Sequence, residues 1–167
     1  MRARRYAVTV RLAPVLPTSV AVVQFPDVQK ATQAVIEVVN AGVGIRKSSI
    51  RVLRHPESAE LTRYVSAAEC VELVDDQFMK GTNMYGMSPR KWAEKDSLFF
   101  KFQGPTPRSL QESADIVRKI TDKYGGTNFM FAKNEKEAND LWTDRKNAVY
   151  SGLAMLPEAK AWGTDVW

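Results

Sequence analysis

The chain has 167 residues, 44% of them hydrophobic and 10% aromatic, which suits one domain with a buried core. Its formal charge is +5, but Arg2, Arg4 and Arg5 supply +3 and residues 46–69 another +2, leaving the body neutral. A neutral body with no aromatic residues set in a basic stripe reduces nucleic-acid binding to a minor alternative, and the lack of any 18-residue apolar run excludes a membrane span.

In chain order, YAVTVRLA at 6–13 alternates with the period of a half-buried strand, and Pro14 and Pro17 close it with a turn. Residues 19–25 form a β-branched run stopped by Pro26, the second expected strand. Asp27 is placed to cap a helix carrying Val28, Ala31, Val35 and Val38 on one face and ending at Ala41-Gly42. A strand follows over 70–74, then a short helix opened by Asp75 or Asp76, and a loop holding Ser88-Pro89. Residues 97–104 alternate as a strand ending at Gly104-Pro105. Thr106 caps a helix with Pro107 at its first position and Leu110, Ala114, Val117, Ile120 and Tyr124 along one stripe. Gly125-Gly126 ends it, and 128–132 reads as a strand. Asn134 and Glu137 have the spacing of a capping box for a long helix from 135 to about 155, and 160–166 reads as a last strand.

Helices recurring between strands leave room for parallel neighbours, while the opening pair of strands can be antiparallel. The expected fold is α+β: a ferredoxin-like, split βαβ sheet of mixed direction, covered by helices. No internal repeat and no glycine-rich phosphate loop occur in the sequence.

The chemistry available is narrow. Cys70 is the single cysteine and His55 the single histidine, so the chain alone assembles neither a thiolate or histidine metal cluster nor a Ser/His/Asp triad. Asp75-Asp76 reads as a helix cap, the Phe99, Phe100 and Phe102 cluster as strand core, and Met79, Met84 and Met87 as gap fillers. Arg145 stands apart. On the helix after Asn134, the apolar positions Ala138, Leu141, Trp142, Ala148, Val149 and Leu153 share a face, with Arg145 in its middle and Asp144, Lys146 and Asn147 turned away. A cation there needs an anion. The partner is either an internal acid, Asp165 or Glu72, or a bound carboxylate; Trp142 and Phe100 are then candidates to line the pocket.

The stretches VTVRLAPVLPTSVAVVQFPDV, CVELVDDQFMKGTN and DLWTDRKNAVYSGLA, followed by KAWGTDV, resemble the C-terminal substrate domain of FAD-linked D-lactate dehydrogenases of the cytochrome-reducing, mitochondrial kind. The resemblance implies an α+β cap over a flavin, oxidation of D-lactate or another 2-hydroxy acid to pyruvate or its analogue, and cytochrome c as electron acceptor. It places the arginine of the family's LW-x-x-R motif, the contact for the substrate carboxylate, at Arg145. It also implies that FAD, and a divalent metal if the parent uses one, are held outside residues 1–167, so the chain alone is expected to be inactive.

The likeness covers residues 7–45 and 70–166 and lapses at 46–69, where the family runs nearly directly from Gly44-Ile45 into Cys70. That polar segment is expected to be an exposed excursion inserted in a single domain of residues 1–167. Codons for Arg46-Lys47-Ser48 and Ala68-Glu69 admit splice-donor and acceptor sequences, and Trp167 followed by a stop admits another donor. A retained intron is therefore the expected origin of both departures. Without the resemblance, the residues equally admit a ferredoxin-like module that binds a small ligand or dimerises through a sheet edge.

Overall fold

Asp27 does what its position in the sequence demands: its carboxylate accepts from the Lys30 amide at 2.8 Å, opening the helix that follows the first strand. A computed structural model describes residues 15–43, 67–156, 158 and 160. Within them β1 (Thr18–Gln24) leads into α1 (Val28–Asn40), β2 (Ala67–Val74), α2 (Asp76–Tyr85) and β3 (Ser97–Gln103). There follow α3 (Pro107–Lys123), β4 (Thr127–Phe131), α4 (Glu135–Lys146) and α5 (Ala148–Met155). Asp75 is the cap of α2, accepting from the Phe78 amide at 2.8 Å, and Gly86 closes that helix in the left-handed conformation at φ 69°. Thr106 and Ser109 form a reciprocal capping box on α3 behind Pro107, and Asn134 accepts from the Glu137 amide at 2.9 Å to open α4.

The four strands lie in the order β2-β3-β1-β4. Every pairing among the described residues is antiparallel, with Val22 opposite Phe99 and Met130, and Glu72 also opposite Phe99. Because β1 and β2 both run antiparallel to β3, they run parallel to each other with β3 between them. This is the split βαβ arrangement of an α+β fold. The parallel direction expected of the crossover is present, but β3 occupies the gap, so the sheet has no parallel hydrogen-bonded pair among the described residues.

Each face of the sheet has its own core. On one, α1 and α3 bring Ala31, Ala34, Val38, Leu110, Ala114, Val117 and Ile120 against Ala21, Val23, Leu98, Phe100 and Phe102. On the other, Val20, Val22, Val74 and Phe99 meet Met79, Trp92, Ala138, Leu141 and Ala148. Full burial of a Leu, Ile, Val or Phe side chain contributes about 1.5–3 kcal/mol, so both layers hold the sheet strongly.

Outside the first core, α1 and α3 are joined by Glu37, whose carboxylate accepts from Lys123 Nζ and, at 2.7 Å, from Tyr124 Oη. The Lys123 bond, then that of Tyr124, holds Glu37 below the usual glutamate range; the same bonds raise Lys123 and Tyr124. A carboxyl depressed on folding stabilises the native state above its unfolded pKa and loses that contribution as pH falls through its folded value. Glu37→Gln should therefore unfold at a slightly lower temperature than the parent chain at neutral pH. In thermal scans the difference should close in acid below the usual glutamate range, and a gap that widens there would contradict the sign.

The long helix expected over 135–155 is instead two. Asn147, at φ −77° and ψ −4°, is both the last cap of α4 and the first of α5, and Ser151 bonds back to its carbonyl through both amide and hydroxyl. The turn lets α5 leave the sheet and pack on α2. That contact is close because two glycines permit it: a Cβ on Gly152 would stand 2.8 Å from the Phe78 ring, and one on Gly81 2.9 Å from the Ser151 carbonyl.

Residues 67–69, expected to be part of an inserted excursion over 46–69, lie instead in the sheet. Ala67 and Ala68 pair with Gln103 and Phe102, and a register shift separates them from Cys70, so 67–69 belong to β2. Two alanines and a glutamate carry little strand propensity; the backbone ladder to β3 recruits them. Residues 46–66, the strand expected over 6–13, and all of 160–166 except Lys160, which is in no element, lie outside the described residues. Since β1 and β2 are parallel, α1 carries the chain back to the end of the sheet where β2 starts, and a connection of about 2–6 residues suffices for such a return. Replacing 46–66 by one Gln, which keeps the Ala67–Glu69 part of β2, should preserve the fold and leave the unfolding temperature equal or higher. A clear loss of thermal stability would show that 46–66 are native structure.

Candidate functional site

The side chains of β2 and β3 that point toward α4 are fixed by strand alternation: Val74 and Phe99 lie in the α4-side core, so Glu72, Cys70 and Lys101 lie on the same face. Arg145, in the last turn of α4, reaches this face and pairs with Glu72, Nη2 to Oε2. The other Glu72 oxygen accepts from the Cys70 thiol at 3.1 Å. Trp142, one turn before Arg145, packs against the core edge and carries the Lys101 ammonium 5.8 Å from its ring centre. The Arg145 and Glu72 side chains stay 30% and 23% exposed, so this is an open shelf and not a sealed pair. Arg145 Nε, however, is buried with no hydrogen-bond partner among the described residues.

Of the residues singled out from the sequence, Arg145 and Trp142 therefore come together, and Glu72 is the internal acid that Arg145 meets. Phe100 does not join them. It is fully buried between α1, α3 and the sheet, opposite Ala21 and Val71, and its side chain leaves the other face of β3. Phe99 is the aromatic that shares a face with Trp142.

Arg145 is also not the centre of the buried face of α4. Asp144 is more deeply set, only 4% exposed. It accepts from Ser88 Oγ at 2.7 Å and Trp92 Nε1 at 3.0 Å, and Arg90 Nε lies 3.9 Å away. The loop between α2 and β3 thus covers the flank of α4 that the sequence turns to solvent. Asp144 stands three residues after Leu141 and four before Ala148, spacing that places it in the buried row. That spacing is the signal from which Asp144 could have been found, but only knowledge of the covering loop explains how a carboxylate is tolerated there.

A carboxylate ligand suits the shelf, because arginine's planar fork matches it and the guanidinium stays partly exposed beside its pair with Glu72. A dinucleotide does not suit the described residues. The N-termini of α1 to α4 are already capped by Asp27, Asp75, Thr106 and Asn134, two of them acidic, with Asp76 adding charge at α2, and α5 follows α4 directly through Asn147. Gly42, Gly86 and Gly125, with positive φ, lie at helix C-termini and form no phosphate cradle. Among the described residues no group of three His, Cys, Asp or Glu side chains could hold a metal, and no helix is long and apolar enough to cross a membrane.

Comparison with known proteins places this geometry. The chain is 31% identical over 153 residues to the D-lactate dehydrogenase [cytochrome], mitochondrial, of Kluyveromyces lactis, covering 89% of this chain and 23% of that protein. It is 29% identical over 146 residues to the probable D-lactate dehydrogenase, mitochondrial, of Danio rerio, covering 87% and 24%. Over 160 residues it is 29% identical to the D-lactate dehydrogenase [cytochrome], mitochondrial, of Arabidopsis thaliana, covering 95% and 24%. The chain thus spans about a quarter of the length of these relatives. Residues 17–166 match the family described as FAD linked oxidases, C-terminal domain. With that match running along nearly the whole chain, the protein belongs to the family of C-terminal domains of FAD-linked oxidases.

Proposed function

We propose that the chain forms the substrate side of a mitochondrial flavoprotein that oxidises D-lactate or a closely related 2-hydroxy acid and delivers the electrons to cytochrome c. The observation that carries the reading is Arg145: a half-buried guanidinium whose Nε has no hydrogen-bond partner among the described residues, set beside Trp142 on an open shelf, within a domain whose relatives are named D-lactate dehydrogenases. Its role is to bind the substrate carboxylate, with Trp142 as the apolar wall beside it. Binding fixes the acid by one end and presents the hydroxyl carbon to the rest of the site, the orientation on which catalysis depends. FAD belongs to the parent protein, and so would any metal. The described residues of this domain supply the carboxylate contact and the wall.

The test uses two proteins. The full-length parent should purify with bound flavin and reduce cytochrome c when given D-lactate. Residues 1–167 alone should carry no flavin absorbance and give no lactate-dependent dye reduction. A yellow 167-residue chain that turns over D-lactate would overturn this division of labour, and a parent inert toward D-lactate and other 2-hydroxy acids would overturn the substrate class.

A further inference from the structure

We propose that Glu72 is a positioning residue for Arg145, a role that rests on the reading of Arg145 as the carboxylate contact. Arginine ends a long stem with many rotamers, and a guanidinium in the last turn of a helix needs a partner to fix its plane. Glu72 supplies one from a different element. It sits on β2, its Oε2 takes Arg145 Nη2, and its Oε1 is itself held by the Cys70 thiol at 3.1 Å. Both carboxylate oxygens are thus engaged, and the ion pair ties the end of α4 to the sheet. Of the guanidinium donors, Nη2 is taken by the pair and Nε is buried without a hydrogen-bond partner among the described residues, so the pair with Glu72 is what sets the plane in which the group meets a ligand.

The same geometry sets two opposed effects. Glu72 orients the guanidinium, which favours turnover, and its negative charge stands beside the incoming carboxylate, which weakens ground-state binding. Orientation and affinity should therefore separate when the charge is removed but the shape is kept. A residue that only stabilises the fold would move neither.

The experiment compares Glu72→Gln, Arg145→Lys and the double variant in the full-length flavoprotein, measuring kcat for D-lactate, the calorimetric Kd of oxalate as a non-reacting carboxylate probe, and the unfolding temperature. Glu72→Gln should lower kcat about tenfold through lost alignment while tightening oxalate about two- to fivefold, the scale of a partly exposed charge pair. The double variant should lose little more kcat than Arg145→Lys alone, since both act through one guanidinium. If Glu72→Gln leaves kcat and the oxalate Kd unchanged while Arg145→Lys is impaired, the positioning role is overturned and the carboxylate reading stands. A fall in unfolding temperature alone overturns it in the same way, leaving Glu72 a structural partner. If Arg145→Lys is itself unimpaired, the carboxylate reading fails and the role of Glu72 goes with it.

Discussion

In the full-length flavoprotein, Arg145→Lys should lower kcat/KM for D-lactate about ten- to hundredfold, because losing a charge-assisted hydrogen bond costs roughly 1.5–3 kcal/mol and each 1.4 kcal/mol is a decade. Lysine keeps the charge and can still meet Glu72, but it lacks the planar fork that engages an internal carboxylate and a ligand together. The ligand-free variant should unfold within about 3 °C of the parent. The pair it weakens is 30% and 23% exposed, and such pairs contribute about 1 kcal/mol or less. Steady-state kinetics and thermal scans on the same preparations decide the matter. A variant with full turnover but a large fall in unfolding temperature would show that Arg145 serves the fold through Glu72 and not the substrate.

That outcome bears on how the sequence could be read. Helix starts were legible because capping chemistry is local: Asp27, Asp75, Thr106 and Asn134 each bond an amide three residues onward. Nothing comparably local names the strand that fills the gap of the expected split βαβ arrangement, and crossovers that leave room for parallel neighbours suggested a sheet of mixed direction where every described pairing is antiparallel. The start of β2 was hidden for a similar reason, since Ala67 and Ala68 are in the sheet through backbone bonds to a distant strand. At the site, helix periodicity and the LW-x-x-R resemblance put Arg145 and Trp142 forward, and the aromatic cluster of the strand offered Phe100. The arginine and the tryptophan share one shelf, but strand alternation sends Phe100 to the opposite core, and the partner of Arg145 was narrowed only to Glu72, Asp165 or a ligand. The sharpest difference concerns neighbours one residue apart. A helical wheel centres Arg145 in the apolar face, whereas the loop bearing Ser88 and Trp92 moves the buried centre toward Asp144, a shift that the spacing from Leu141 to Ala148 allows but that only the covering loop makes tolerable for a carboxylate.

Asp144→Ala should accordingly be the most damaging to stability of the changes on α4 considered above, about 3 kcal/mol, because it leaves the buried Trp92 N–H and the Ser88 hydroxyl without their acceptor and removes the nearest carboxylate from Arg90. For a chain of this size that is a fall of about 6–12 °C in unfolding temperature. Asp144→Asn keeps a carbonyl oxygen for Trp92 and should cost clearly less. Trp92→Phe removes the donor instead of the acceptor, so a double-mutant cycle with Asp144→Asn should show that the two effects do not add. Activity gives a second readout. Asp144 pins α4 to the α2–β3 loop on one flank while Arg145 faces β2 on the other, so the alanine variant should lose D-lactate efficiency as well as stability, whereas Arg145→Lys loses efficiency alone. An alanine variant that unfolds within 2 °C of the parent, roughly the shift expected for well under 1 kcal/mol, would mean that the buried carboxylate does not hold this flank of α4.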